Sequence, residues 1–384
     1  MFGKTWLKVA VISCLMLLLS SPALAETIRI AVASPFTGAL AGYGDNVKAG
    51  VTLKVEEINA AGGINGKQIR VDWMDEQCEP REAATVSSRI AQNRNIVGVV
   101  GHLCSSAHLA ALPTYLRHGV PVISPTATSV AISDQSKDRQ GNTWAFRVVY
   151  RDDYQGEFLA QYVNEVLELD NVAVFFENND YGIGLKNAFV NKAQSIGLNI
   201  VGEEAYVSGA SDFNPQLTRL RGRNPDGLFI SGYYPEGALI ANQARDLGMN
   251  VAKFGADGFD NADYISLAGA AAENTYLTVP FLADVAEGEA KEFLENFRER
   301  FDREVDWMSA NSYDAAGILL QAIAEVGADR AKIREYLTTI NSPENAYHGI
   351  AGMTYFNEYG DTLKPAFVKK VQDGQFVAAP VQMD

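Results

Sequence analysis

Val97-Gly-Val-Val-Gly-His-Leu-Cys-Ser-Ser106 decides how this chain is read, because an apolar run stops abruptly in small hydroxyl residues and a helical pattern follows at once. Val97, Val99, Val100 and Leu103 suit a strand buried on both faces. Ser105 and Ser106 are favourable N-cap types for a helix over 107–118. Such a junction gathers free backbone N–H groups, hydroxyls and the positive end of a helix dipole, a setting that attracts an anion such as a carboxylate. For an isolated Ser-Ser pair, capping alone is the plainer reading. A second stretch shifts the balance: Val120-Pro-Val-Ile-Ser-Pro-Thr-Ala-Thr128 again ends an apolar strand in hydroxyls, Thr126 and Thr128, before a short segment at 129–132. Ligands of open α/β sheets sit beyond the carboxyl ends of the strands, so two such tips together point to a site.

Outward from these strands the pattern alternates. Strands are expected at 28–34 and 69–73 with helices at 46–61 and 81–93, and the stop Ala61-Gly-Gly63 ends the first helix. Downstream, strands at 144–149, 171–176, 200–206, 227–232 and 251–255 each lead into a helical pattern, at 154–169, 181–196, 214–221, 236–247 and 261–267. A strand at 275–280, three helical patterns at 289–301, 309–326 and 331–338, and extended ribbon at 353–356 and 366–371 complete the chain. Alternation of this kind specifies doubly wound parallel sheets with helices on both faces. The length favours two domains.

Residues 1–25 carry Lys4 and Lys8, an apolar run from Val9 to Leu19 and Ala23-Leu24-Ala25, the three regions of a secretory signal peptide. Cys14 lies within the apolar run and is a poor lipoprotein site. The formal charge is −15, and loss of Lys4 and Lys8 makes it −17, which argues against nucleic acid or an anionic membrane as partner. Only Cys78 and Cys104 survive processing, and an exported chain sits where disulfides persist, so they are expected to be bonded across neighbouring parallel strands. The competing reading is a nucleophilic Cys104 served by His102 or His108. No Walker pattern occurs, and Gly42-Tyr-Gly44 and Gly182-Ile-Gly184 lack the third glycine of a dinucleotide loop. The four histidines, 102, 108, 118 and 348, lack metal-site spacing and read as surface or packing residues, so neither cofactor nor metal is expected.

The motifs Tyr43-Gly-Asp45, Asn59-Ala-Ala-Gly-Gly-Ile-Asn-Gly66, Asp75-Glu-Gln-Cys-Glu-Pro80, Gly101-His-Leu-Cys-Ser-Ser106, Ser124-Pro-Thr-Ala-Thr128, Asp180-Tyr-Gly-Ile-Gly184 and Gly232-Tyr-Tyr-Pro-Glu236 carry a resemblance. Over nearly the whole mature chain the sequence is similar to periplasmic substrate-binding proteins of ABC transporters, in the leucine/isoleucine/valine branch of the type I fold. The resemblance implies a two-lobed α/β protein with three crossings and a ligand cleft, lobe one taking 26–150 and 280–365 and lobe two 151–279 and 366–384. It implies the Cys78–Cys104 bond as well. It also implies a non-enzymatic role in the periplasm: capture of a free amino acid, delivery to a membrane permease, and no insertion of the protein itself into the membrane. A lobe that must move favours a monomer.

By motif match, Ser105 and Thr128 would hold the ligand carboxylate with backbone help from Ser105 and Thr126, and Ser106 and Ala127 belong to the same two tips. Asp257 would hold the ammonium, with the hydroxyl or backbone around Tyr181 and Tyr233. Tyr43, Trp307 and Met308 would line the side-chain pocket. Asp152 and Gln155 resemble hinge positions. Asp257 is shorter than the glutamate found there in better-known members, which leaves aromatic or polar amino acids and small amides or urea as alternative ligands. From the residues alone, Asp257 between Gly255 and Gly258 reads first as a turn former, and Tyr43, Tyr181 and Tyr233 beside glycines read first as rim packing; the resemblance reverses that order.

Overall fold

The computed structural model describes residues 27–286 and 288–383; the signal-peptide segment lies outside them. The N-terminal part alternates β1 (Thr27–Ser34), α1 (Ala41–Ala60), β2 (Gln68–Asp75), α2 (Pro80–Gln92), β3 (Ile96–Gly101), α3 (Ser105–His118), β4 (Val122–Ser124), α4 (Val130–Asp134) and β5 (Ala145–Arg147). Its five strands form one parallel sheet in the order β2-β1-β3-β4-β5. Every residue of β3 is buried, as its unbroken apolar run requires of a central parallel strand.

After β5 the chain crosses into a second unit: α5 (Asp152–Glu165), β6 (Asn171–Glu177), α6 (Asp180–Ile196), β7 (Asn199–Tyr206), α7 (Asn214–Arg221), β8 (Gly227–Ser231), α8 (Tyr234–Asp246), β9 (Ala252–Gly255), α9 (Ala262–Ala268) and β10 (Thr275–Val279). It then returns to the first unit through α10 (Glu289–Phe301), α11 (Trp307–Val326) and α12 (Arg330–Thr339), followed by the small hairpin β11 (Tyr347–Gly349) and β12 (Gly352–Thr354). A final passage brings β13 (Phe367–Gln372) and β14 (Gln375–Ala378) to the second sheet, whose order is β14-β13-β10-β9-β8-β6-β7. The last two strands run antiparallel there. The result is two mostly parallel sheets, each with helical cover, linked by three crossings.

Helix α11 explains how the C-terminal segment belongs to the first unit. It is buried around its whole circumference rather than along one stripe: Trp307 through Leu320 are all buried, the polar Ser309, Asn311, Ser312 and Asp314 included. It packs so closely on α1 that a Cβ at Gly50 would lie 2.1 Å from the Ser309 carbonyl oxygen, so only glycine fits there. Asp306 caps it through the Ser309 N–H at 3.0 Å.

Two sequence expectations need correction. Cys78 and Cys104 are bonded, with Cα atoms 5.5 Å apart, but their strands are not neighbours, because β1 lies between β2 and β3. Both cysteines sit in loops beyond the strand ends, and these loops meet over the tip of β1, where the Glu76 N–H donates to the Ser34 carbonyl at 3.2 Å. The bond removes Cys104 as a nucleophile. Helix α3 begins at Ser105, with Cys104 at the N-cap and no side-chain cap, so Ser105 and Ser106 lie inside the first turn. Their hydroxyls are engaged elsewhere: Ser105 Oγ accepts from the Ser129 N–H at 3.2 Å, and Ser106 Oγ donates to Asp180 at 2.6 Å.

Among the histidines, His102 and His108 are buried and His118 and His348 exposed, and no cluster suited to a metal ion occurs among the described residues. No helix among those residues is long and apolar enough to cross a membrane.

Candidate functional site

Both sheets present their strand ends to one cavity, lined by Tyr43, Leu103, Ser105, Thr126, Trp307 and Met308 from the first unit and Tyr181, Tyr233, Asp257 and Gly258 from the second. In the first sheet the order reverses between β1 and β3, and in the second between β6 and β8. These are the switch points where loops diverge and leave a crevice.

On the first side, a hydroxyl fastens the two tips together. Ser124 Oγ donates to the His102 carbonyl at 2.8 Å and accepts from the N–H groups of Thr126 (3.3 Å) and Ala127 (2.9 Å). Thr126 Oγ1 donates to the Leu103 carbonyl at 2.8 Å. The loop after β4 is thereby pinned against the start of α3, whose first N–H groups have no intrahelical acceptor. This face therefore offers donors to an anion. Arg147 stiffens it from behind, donating to the carbonyls of Ala127 (3.2 Å) and Ser129 (3.0 Å) and pairing with Asp361 at 2.8 Å.

The second side is built around one acid. Asp257 follows β9 in a single 3-10 turn and is buried. Its Oδ1 accepts from the Tyr181 hydroxyl at 2.6 Å, while its Oδ2 has no hydrogen-bond partner. Burial pushes the Asp257 carboxyl up to about 7, against the lowering effect of the Tyr181 hydrogen bond. Tyr181 also accepts from the Gly258 N–H at 3.2 Å and stacks on Tyr233, with ring centroids 5.0 Å apart. A side chain at Gly258 would approach the Gly232 carbonyl at 2.7 Å and the Tyr181 hydroxyl at 3.0 Å, so this close arrangement needs glycine.

The remaining wall is aromatic. Tyr43 packs edge-on against Tyr234 and Tyr233, at 4.9 and 6.1 Å between centroids, and its hydroxyl donates to the Gly258 carbonyl across the cleft. Trp307 Nε1 donates to the Asp257 carbonyl at 3.3 Å, also across the cleft. The cavity thus has hydrogen-bond donors on one side, a lone carboxylate oxygen on the other and an apolar wall between them. This arrangement suits a small zwitterion.

Of the residues singled out from sequence, Tyr43, Ser105, Thr126, Tyr181, Tyr233, Asp257, Trp307 and Met308 come together at the cavity. Ser106, Ala127 and Thr128 are not among its lining. Ser106 faces Asp180 at the rim, Ala127 bonds through its backbone to Ser124, and Thr128 is turned toward Asp152, accepting from its N–H at 3.0 Å. Burial and the charge of Asp257 raise the Asp152 pKa well above the carboxylate range. Leu103 and Gly258 line the cavity and were not anticipated, Leu103 because it reads as the end of a core strand and Gly258 because it carries no chemistry of its own.

Gln155 is buried beside the site. Its Oε1 accepts from Tyr150 (2.9 Å), Thr278 (2.9 Å) and the Asp257 N–H (3.3 Å), which ties the first two crossings to the acid.

A family model described as periplasmic binding protein matches residues 27–375, and the chain belongs to that family, whose members are binding proteins rather than enzymes. It is 30% identical over 338 residues to the leucine-, isoleucine-, valine-, threonine- and alanine-binding protein of Pseudomonas aeruginosa, covering 88% of this chain and 87% of that one. To the Leu/Ile/Val-binding protein of Escherichia coli it is 32% identical over 273 residues, covering 71% of this chain and 73% of the relative. Among solved structures, a branched-chain amino acid transporter substrate-binding protein from Streptococcus pneumoniae in complex with isoleucine superposes with a TM-score of 0.85 at 31% identity, covering 93% of this chain and 100% of that one.

Proposed function

We propose that this protein is an extracytoplasmic substrate-binding protein that captures a free α-amino acid, leucine, isoleucine or valine, and delivers it to an ABC transporter permease. The observation that carries the reading is the opposition of charge preferences in one cavity: first-turn amides and the Ser105 hydroxyl, which accepts but donates to nothing among the described residues, line it on one side, and buried Asp257 with its unpartnered Oδ2 lines it on the other. A ligand carboxylate suits the first and an α-ammonium the second, through charge-assisted hydrogen bonds. Neither unit alone satisfies both charges, so a bound zwitterion favours the state in which the two close on it. The aromatic and apolar wall of Tyr43, Leu103, Trp307 and Met308 suits an aliphatic side chain.

The relatives support this reading, since the Pseudomonas aeruginosa protein is named for five amino acids that include all three. The signal-peptide pattern of residues 1–25 agrees with a periplasmic location. Titration calorimetry of residues 26–384 with leucine, isoleucine and valine tests the proposal. Saturable one-to-one binding of at least one of them supports it, and no heat with any amino acid refutes it.

A further inference from the structure

Ser106 looks like a ligand residue by sequence, yet its hydroxyl is committed elsewhere. Ser106 lies in the first turn of α3, on the first unit, and Asp180 is the first residue of α6, on the second. The two bond reciprocally: Ser106 Oγ donates to Asp180 Oδ2 at 2.6 Å, and the Asp180 N–H donates to Ser106 Oγ at 3.1 Å. We propose that Ser106 and Asp180 form a clasp between the units, a pair of positioning residues that holds the cleft closed without touching the ligand. The inference rests on the closure step of the function proposed above.

The two helix ends complete each other. Helix α6 has its own cap, Asn179, whose side chain accepts from the Gly182 N–H at 2.8 Å, and this leaves the Asp180 N–H as a donor that Ser106 satisfies. Helix α3 has no side-chain cap, and the carboxylate of Asp180 arrives at its N-terminus from the other unit. A negative charge is favourable at that end of a helix dipole, so the closed state supplies α3 with a countercharge that the open state withdraws. The pair lies at the rim, with Asp180 exposed and Ser106 half-buried, and neither residue lines the cavity. A second rim contact, from the Tyr234 hydroxyl to the Ala39 carbonyl at 3.1 Å, crosses the cleft elsewhere.

A clasp of this kind acts on opening rather than on recognition. Its loss speeds ligand escape by the same factor for every ligand and leaves the rate of capture nearly unchanged, because closure follows encounter. One charge-assisted bond at a solvated rim corresponds to a factor of about 3 to 10.

The test compares the mature protein with Ser106→Ala, Asp180→Ala, the double variant and Asp180→Asn. Stopped-flow kinetics with leucine, isoleucine and valine should show dissociation faster by about 3- to 10-fold in each alanine variant, no further change in the double variant, and partial recovery in Asp180→Asn, which keeps an acceptor oxygen. Pulsed electron-electron resonance, with spin labels at Glu82→Cys and Gln194→Cys, reads the same clasp in ligand-free protein and should show a smaller closed population in each alanine variant. The resonance measurement needs no ligand, so it decides the clasp even if no amino acid binds. Unchanged distance distributions, or additive losses in the double variant, overturn the clasp. A loss of affinity in Ser106→Ala with none in Asp180→Ala would make Ser106 a ligand contact instead.

Discussion

Tyr181 donates its phenolic hydrogen to Asp257 Oδ1 at 2.6 Å, so that one oxygen of a buried carboxylate is fixed and the other, Oδ2, is left without a partner. The hydroxyl orients the acid, and the Gly258 N–H holds the hydroxyl in turn at 3.2 Å. An uncompensated buried carboxyl is costly unless a cation completes it, which gives the site its direction.

Replacement of Asp257 should therefore separate binding from folding. Asp257→Ala and Asp257→Asn are expected to weaken amino-acid binding by about thirtyfold or more, since removal of one partner of a buried charged pair costs about 2–5 kcal/mol. The ligand-free melting temperature of Asp257→Asn should not fall, because the variant removes a buried group that prefers to be neutral. Calorimetry and thermal melts of the same samples check both expectations. Retained affinity in Asp257→Ala would remove the ammonium from this side of the cleft.

The raised Asp257 pKa predicts a definite pH dependence. With the ligand-free carboxyl at about 7, the group is protonated below that pH and cannot pair with an ammonium, so affinity should fall about tenfold for each pH unit below 7. Binding near pH 6 should release a proton, visible as a dependence of the calorimetric heat on the buffer's ionisation enthalpy. Stability of the ligand-free protein has the opposite sense. A carboxyl whose folded pKa lies above its ordinary value of 3.8 contributes stability that is fully present below that value and is lost as pH rises toward 7. Glu177, also pushed up to about 7 by burial, adds to this loss, so the difference between wild type and Asp257→Asn isolates the site's own share.

Gly258→Ala tests the packing beneath the acid. The new methyl would meet the Gly232 carbonyl oxygen at 2.7 Å and the Tyr181 hydroxyl at 3.0 Å, and backbone cannot yield as a flexible side chain would. Overpacking of this kind costs about 1–3 kcal/mol, and displacement of Tyr181 from Asp257 should weaken binding at least tenfold. Denaturant unfolding and calorimetry read the two effects separately.

The Cys78–Cys104 bond closes a loop with a sequence separation of 26 and should contribute about 2–4 kcal/mol. The double alanine variant is expected to unfold at lower denaturant by that amount. Unreduced wild-type protein should resist iodoacetamide, whereas prompt alkylation of Cys104 would revive the nucleophile reading.

Much of this organisation was legible before any coordinates. The parallel sheets and the converging strand tips follow from apolar runs such as Val97–Val100, which only a central strand can bury on both faces. What sequence left open was pairwise and long-range. Strand order decides that β1 separates the two strands that lead into the cysteine-bearing loops, and no local pattern encodes it. Ser106 shows the same limit: a serine at a helix start reads as a cap or an anion ligand, yet its partner Asp180 lies 74 residues away on the other unit. Leu103 and Gly258 reach the cavity through position rather than chemistry.

A thermal-shift screen of residues 26–384 against the twenty amino acids, with acetamide and urea as controls, tests the central claim most directly. Ligand at a hundred times its dissociation constant stabilises by about 2.7 kcal/mol, which shifts the melting temperature visibly. The account predicts stabilisation by leucine, isoleucine or valine that is lost in Asp257→Ala. Silence with every amino acid, or a shift with acetamide or urea alone, would contradict it.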